Sequence, residues 1–383
     1  MKNQKLIIMI IASLLIIFTL FVPPFFGKSD DGSFYNLFTS NGIYNLEGSK
    51  EGVFNTQFGV GGEDSGEHFF PVSIAKFFSG EIFDIRLLAL LYAPMYITGL
   101  CLIIASIKSD NKYIHLVISV LAAIILCDIG YIGYFNSFYT DALYISAFTL
   151  MAGSLMFMLS NGKYNIPCLV LTVISAVLLS LSGIGIVAAV LAAAIAIRFC
   201  FAEKFKAIPA AAAVIILILS VLLCGTAPNY KNDGTEIITE ETTLKTLDAA
   251  AKNAPFLSQD YIPNKADADY GIKQVPGLWS YFRRFIPISS LLVMAAFFVA
   301  VLVIAAKSLK REPSLADVAI LLAVSSAVFF ASTVLTGGLA SISRRLVMHQ
   351  LSLDITVIIS VLWICNTLLA RRKNLQQKYG VNQ

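Results

Sequence analysis

Apolar stretches of about 20 residues recur along this chain, separated by short basic turns and by two long polar segments. A helix needs about 20 mostly apolar residues to cross roughly 30 Å of hydrocarbon. On that measure spans are expected near 5–24, 87–107, 113–133, 138–159, 166–184, 185–200, 207–225, 287–306, 316–336 and 350–370. In lipid every backbone N–H and C=O must bond internally, so the spans must be helices. The pattern predicts an all-α polytopic membrane protein. It is a bundle of about ten transmembrane helices, filling residues 1–370, with long extracytoplasmic loops at 25–86 and 226–286 and a basic cytoplasmic tail at 371–383. The run 166–200 is broken only near Ser182, Gly183 and Gly185. It reads as a helical hairpin turning there, or as one span with a re-entrant segment, which would invert everything downstream.

Charge favours the hairpin. Short cytoplasmic loops collect Lys and Arg. With ten spans and the N-terminus inside, the inner segments hold Lys2, Lys5, Lys108, Lys112, Lys163, Arg198, Lys204, Lys206, Lys307, Lys310, Arg311, Arg371, Arg372, Lys373 and Lys378. The turns at 134–137 and near 185 hold none. The net charge of +4 is therefore a topology signal and not a nucleic-acid footprint. Only 14% of residues are charged, against about 25% in soluble chains. The first span has a basic start but is followed by Pro23, Pro24, Phe25 and Phe26 and not by a small-residue cleavage site, which fits an uncleaved helix. The six cysteines lie in or beside apolar segments, without metal spacing.

Within the first loop, Ser33–Ser40 and Pro71–Ser79 read as short amphipathic helices. The second would lay Phe69, Phe70, Ile74, Phe77 and Phe78 on the membrane surface, with Lys76 facing water. Thr239–Lys252 reads as a helix in the second loop, whose ordering is expected to depend on packing over the first. The aromatic set Tyr131, Tyr134, Phe135, Phe138, Tyr139 and Tyr144 reads first as an interfacial belt, with sugar stacking as the lesser reading.

Several polar groups on the loop side could carry chemistry. Asp30 and Asp31 follow the first span closely. Such carboxylates can take a proton from a hydroxyl nucleophile or hold a divalent cation, and Ser-Asp-Asp-Gly is also ordinary turn chemistry. Glu63, Asp64, Glu67 and His68 form a second acidic group, behind glycines suited to close approach; a solvated loop is the plainer reading. Asp141 opens the fourth span, as a site residue or as a charge on the helix N-terminus, and Asp128 is similar. Arg344 and Arg345 break the positive-inside rule. Arg345 and His349 share a helix face, and Asp354 is expected within about 90° of it. Arginines at that boundary can grip a lipid phosphate or serve as snorkelling anchors, as can Arg283 and Arg284. There is no Walker loop, GxSxG or HExxH.

In order, these segments resemble the GT-C membrane glycosyltransferases that use polyprenyl-phosphate-linked sugars. The likeness is to bacterial cell-envelope hexose transferases in particular, and more distantly to protein O-mannosyltransferases and the lipid A aminoarabinose transferase. SDDGSFYNLFTSNGIY resembles the family's acidic residue after span one. HFFPVSIAKFFSGEIFDIRLLALLYA resembles its amphipathic helix entering span two, through Pro71, Gly80 and Arg86. NSFYTDALYISAFTL matches at Asp141, and SRRLVMHQLSLDITVI resembles the late basic turn and Asp-bearing helix. The resemblance covers most of residues 1–370. It implies an inverting glycosyltransferase, with Asp30 or Asp31 deprotonating the acceptor and Arg344 and Arg345 on the departing lipid phosphate. The remaining substrate contacts would come from Glu63, Asp64, His68, Asp141, His349 and Asp354. The partners implied are the polyprenyl-phosphate-linked donor, an extracytoplasmic glycan, glycolipid or protein acceptor, and membrane lipid. A divalent cation, Mg or Mn, is left open. A transporter or flippase of a lipid-linked or small polar substrate is the alternative, and a catalytically inactive envelope-assembly protein a third.

Overall fold

The computed structural model describes residues 2–23, 25–28, 40–46, 55–62, 69–109, 111–163, 165–182, 184–202, 207–224, 245–247, 249–250, 261–263, 277–283, 299–301, 303, 314–336 and 346–379. Among them, five helices are long and apolar enough to cross a membrane: α1 (Lys2–Phe21), α3 (Arg86–Ser106), α6 (Asp141–Asn161), α11 (Leu315–Thr336) and α12 (Val347–Tyr379). A bent pair, α4 (Lys112–Leu126) joining α5 (Ile129–Ile132) and a 3-10 turn (Gly133–Asn136) across a 41° bend, reaches spanning length only when its two parts are taken together. Three shorter apolar helices follow: α7 (Ile166–Ser180), α8 (Ile186–Ala202) and α9 (Ala207–Leu222). The expected span at 287–306 falls largely outside the described residues. The protein is thus a multi-pass helical membrane protein.

The bundle is built around α6, which is buried on nearly every side. Its tightest partner is α3. Gly99 and Gly153 cross so closely that a Cβ on Gly153 would lie 2.3 Å from the Gly99 carbonyl oxygen. Small residues let helix backbones meet where lipid gives no hydrophobic drive to pack. The Ser154 and Thr172 hydroxyls, 2.7 Å apart, tie α6 to α7. Ser180 donates to the Ser220 hydroxyl at 2.7 Å, setting the C-terminal ends of α7 and α9 side by side. Between them the chain reverses: Ser182 Oγ accepts the Gly185 amide at 2.7 Å and donates to the Leu179 carbonyl. This is the hairpin, with its turn where Ser182 and Gly185 were read.

One end of the bundle is basic. Lys5 donates to the carbonyls of Ala105 and Ile107, and Lys108 to the Ser160 carbonyl and Asn161 Oδ1. Asn366 of α12 donates to the Lys108 carbonyl at 2.9 Å, and Arg198 of α8 pairs with Asp317 of α11. The helix α12 continues through the basic residues to Tyr379.

The opposite end carries the loops, and it is not purely helical. β1 (Phe26–Lys28) of the first loop pairs antiparallel with β5 (Tyr261–Pro263) of the second, Lys28 opposite Tyr261. The two loops therefore do fold onto each other. Inside the first loop, β2 (Ile43–Tyr44), β3 (Gln57–Val60) and β4 (Ile82–Asp84) form a small antiparallel sheet. Gly61, at φ 117°, and Gly62 both donate to the Gly42 carbonyl. The glycines ahead of Glu63 thus extend the β2–β3 pairing beyond Val60, a structural reason for residues read as suiting close approach.

α2 (Phe70–Phe78) forms where an amphipathic helix was expected, with two corrections. Phe77, Phe78, Phe70 and Ile74 are exposed, but Phe69 is buried in the core. Lys76 does not simply face water: its ammonium donates to the Asn41 carbonyl at 2.6 Å. The apolar stripe at i, i+3 and i+6 (Phe69, Val72, Ala75) is the one the core takes. Residues 33–39 of the first expected helix and most of Thr239–Lys252 lie outside the described residues.

Candidate substrate site at the loop end

The break in the α4–α5 span sets up the site. Asp128 caps α5, its Oδ1 accepting the Gly130 amide at 2.8 Å, so the chain turns inward there. The aromatic residues that follow enter the bundle. Tyr131, Tyr134, Phe135, Phe138, Tyr139 and Tyr144 are all buried, which corrects their reading as a belt at the lipid boundary. A belt requires an uninterrupted span ending at the interface; the bend folds this segment back over α1 and α3 instead. Asn136 shows the anchoring, its amide donating to the carbonyls of Leu20 and Phe26. Phe138 packs against Phe58 and Phe83 of the small sheet.

Two carboxylates are buried here, Asp128 and Asp354, each 2% exposed. Asp354 Oδ2 accepts the Tyr131 hydroxyl at 2.6 Å and the Trp279 indole N–H at 2.7 Å. Tyr131 comes from α5 and Trp279 from α10 (Leu278–Arg283), at the end of the second loop. Asp128 lies against the same loop: a Cβ on Gly277 would sit 2.1 Å from Asp128 Oδ2, so no side chain fits there as the chain stands. Both carboxylates lie well along their helices from the basic end. At 1.5 Å per residue, Asp354 is about 18 Å along α12 from Asn366, and Asp128 about 24 Å along the broken span from Lys112. Both lie toward the loop end. Hydrogen bonds to a charged group contribute about 1.5–3 kcal/mol each, and an ionisable group within a span is a functional candidate by default.

A buried cation completes the loop end. Lys28, 4% exposed, donates to the Tyr134 hydroxyl at 2.5 Å and lies 4.1 Å from that ring's centroid and 5.8 Å from that of Tyr139. It immediately precedes the segment that carries Asp30 and Asp31. At the same end Arg86 is fixed by Asp84, through Nε bonds of 2.9 and 3.0 Å, and lies over the Phe25 ring.

Of the residues expected to form the site, Asp30, Asp31, Glu63, Asp64, His68, Arg344 and Arg345 lie outside the described residues, as do Glu67 and Arg284. Asp141 is the first residue of α6, its charge at the positive end of the helix dipole. His349 and Asp354 share α12 but not a direction. His349 Nδ1 lies 2.8 Å from the Ser326 hydroxyl on α11, while Asp354 meets α5 and α10. Five residues turn a helix by about 140°, which separates Asp354 from the face of His349 more than was expected. Among the described residues no three His, Cys, Asp or Glu side chains gather as a metal site. The residues that would supply one to the first loop are among those not described.

Lys28, Gly277 and Trp279 escaped the sequence reading, and Tyr131 was read there only as part of an aromatic belt. Lys28 carried a usable signal, since it is a cation directly after the first span, on the side where Arg344 and Arg345 are exceptional. Trp279 is one of only two tryptophans, set in a polar loop.

These features define a multi-pass membrane protein with a polar, partly charged site beneath paired loops. Residues 1–246, more than half of the chain, match the family described as the YfdI N-terminal transmembrane domain, and the chain belongs to it. None of the curated proteins and none of the solved structures compared with it matches. The matched region contains Lys28, Asp128 and Tyr131; Gly277, Trp279 and Asp354 come from the chain beyond it.

Proposed function

We propose that this protein is an inverting glycosyltransferase that moves a sugar from a polyprenyl-phosphate donor to an extracytoplasmic glycan, glycolipid or protein acceptor. The observation that carries the reading is the carboxylate of Asp354, held in the loop-end half of the bundle by Tyr131 and Trp279. A site at that depth can be reached by a headgroup whose lipid tail remains in the bilayer. The ordered resemblance to GT-C transferases supplies the chemical class.

In this reading the basic end is cytoplasmic, by the positive-inside rule, and the loop end is extracytoplasmic. Asp30 or Asp31 acts as base toward the acceptor hydroxyl. The hydroxyl oxygen attacks the anomeric carbon opposite the lipid phosphate, the glycosidic bond to phosphate breaks, and configuration inverts. Arg344 and Arg345 stabilise the phosphate as its charge grows, with Lys28 as a further cation on that side of the site. In sequence Asp30 follows two residues after Lys28, which the β1–β5 pairing and Tyr134 hold in place. The test is transfer of labelled hexose from a polyprenyl-phosphate hexose in proteoliposomes. Asp30→Asn or Asp31→Asn should abolish transfer while the protein stays folded. Transfer retained in both single variants and in the double variant would remove this mechanism.

A further inference from the structure

We propose that the short helices α7, α8 and α9 thin the bilayer beside them, drawing the lipid headgroups of the loop-side leaflet about 8 Å inward onto the turn between α7 and α8. This surface does not depend on the reaction the protein carries out.

The observation is a difference in helix length at a fixed register. α6 has 21 residues, about 31 Å of helix, which matches roughly 30 Å of hydrocarbon. α7 has 15, about 22 Å. The Ser154 and Thr172 hydroxyls, 2.7 Å apart, set the two helices at one level. From that level toward the basic end, α6 continues to Asn161 and α7 starts at Ile166, about 10 and 9 Å away, so the two end together. Toward the loop end α6 reaches Asp141, about 20 Å away, whereas α7 stops at Ser180, about 12 Å away. The whole shortfall lies on the loop side.

α9 leaves at the same low level. Ser180 donates to the Ser220 hydroxyl, and α9 ends two residues later at Leu222. Ile184 in the turn is 39% exposed, and Val221 and Leu222 are 67% and 68% exposed, so these ends are open to the surroundings. A helix shorter than the hydrocarbon thins the bilayer, snorkels long polar side chains from its ends, or gains a partner. Tilting would shorten its reach further. Neither the turn from Leu181 to Gly185 nor the exit at Leu223 and Cys224 holds a Lys, Arg, Trp or Tyr that could snorkel. Irregular backbone is not tolerated against lipid chains, and the sequence after Cys224, GTAPNYKNDG, is polar. Thinning is the response that keeps both the turn and this exit among headgroups.

The test places one nitroxide at a time on the full chain in dioleoyl-phosphatidylcholine proteoliposomes, in a Cys224→Ser background that removes the exposed thiol. Ile184→Cys reports the turn. Leu90→Cys is the reference: Leu90 is 59% exposed and lies about 14 Å toward the loop end from Gly99, which crosses α6 at Gly153, beside Ser154. The two labels therefore stand at about the same height in the protein. The expected result is that the Ile184 label collides several-fold more with a water-soluble nickel chelate than the Leu90 label, which collides with oxygen as a group in hydrocarbon does. Ile174→Cys, at an exposed position inside α7, should also read as hydrocarbon. An Ile184 label that meets oxygen and not nickel would place the turn under an undeformed leaflet and overturn the proposal. One shielded from both reagents would mean that a partner or a second copy covers the turn, and a nickel-accessible Ile174 label that α7 does not face lipid. Either result overturns it as well.

Discussion

The two ends of this bundle treat buried polar groups differently. At the basic end, cations bond to main-chain carbonyls close to helix C-termini. Lys5 caps the exit of α3, Lys108 the exit of α6, and Arg198 joins Asp317 across two helix ends. Helix C-termini leave carbonyls without intrahelical partners and carry partial negative charge, so such cations satisfy the architecture itself. At the loop end, polar side chains meet other side chains from distant parts of the sequence: Lys28 with Tyr134, and Asp354 with Tyr131 and Trp279. No helix terminus requires those contacts. The comparison teaches that charge near a membrane boundary marks topology where main chain absorbs it. It marks a candidate site where buried side chains from separate segments converge away from any helix end.

The strongest way to break that contrast is to remove the loop-end carboxylate. Asp354→Leu strands the Tyr131 hydroxyl and the Trp279 indole N–H inside the protein. An unpaired buried donor costs about 1–3 kcal/mol, so a loss of about 2–6 kcal/mol is expected, read as a lowered unfolding midpoint in detergent. A midpoint equal to wild type would mean that the three side chains do not meet. A smaller effect is expected at Gly277. Gly277→Ala drives a methyl into the Asp128 carboxylate and should cost about 1–3 kcal/mol. Asp128→Ser shortens that side chain and keeps an N-cap oxygen, so the double variant should recover most of the loss. Simple additivity of the two changes would show that loop and carboxylate are not in contact.

The helix crossing offers a control away from both ends. Gly153→Ala should destabilise by about 1–3 kcal/mol, because its methyl meets the Gly99 carbonyl. Gly80→Ala, with nothing within 4 Å, should stay within about 0.5 kcal/mol of wild type. A small effect is also expected at the basic end. Lys108 is exposed, and Lys108→Met should cost no more than about 1 kcal/mol. A larger loss there would erase the distinction between the two ends.

Much of the scaffold was legible because span length and charge asymmetry are local properties. The turn at Ser182 and Gly185 and the limits of α3, α6, α8 and α11 follow from apolar run lengths and breaks. The site was less legible. Asp128, Asp141, His349 and Asp354 stood out because charge inside an apolar run is costly. Their partners did not, because hydropathy cannot report a bend. The break at Cys127 and Asp128 turns Tyr131 and Tyr134 from residues that fit an interfacial belt into interior ligands of Asp354 and Lys28. Trp279 was hidden for a related reason. It lies in a polar segment with little periodicity, and its role exists only once that segment meets α12.

The claim that chemistry belongs to the loop end and architecture to the basic end is tested most directly by one paired assay. Purified wild-type, Asp354→Asn and Lys108→Met proteins are reconstituted side by side and assayed for the proposed hexose transfer from polyprenyl-phosphate hexoses. The account predicts that Asp354→Asn loses most of its transfer while remaining folded, and that Lys108→Met transfers as the wild type does. Full activity in Asp354→Asn, together with loss in Lys108→Met, would contradict it.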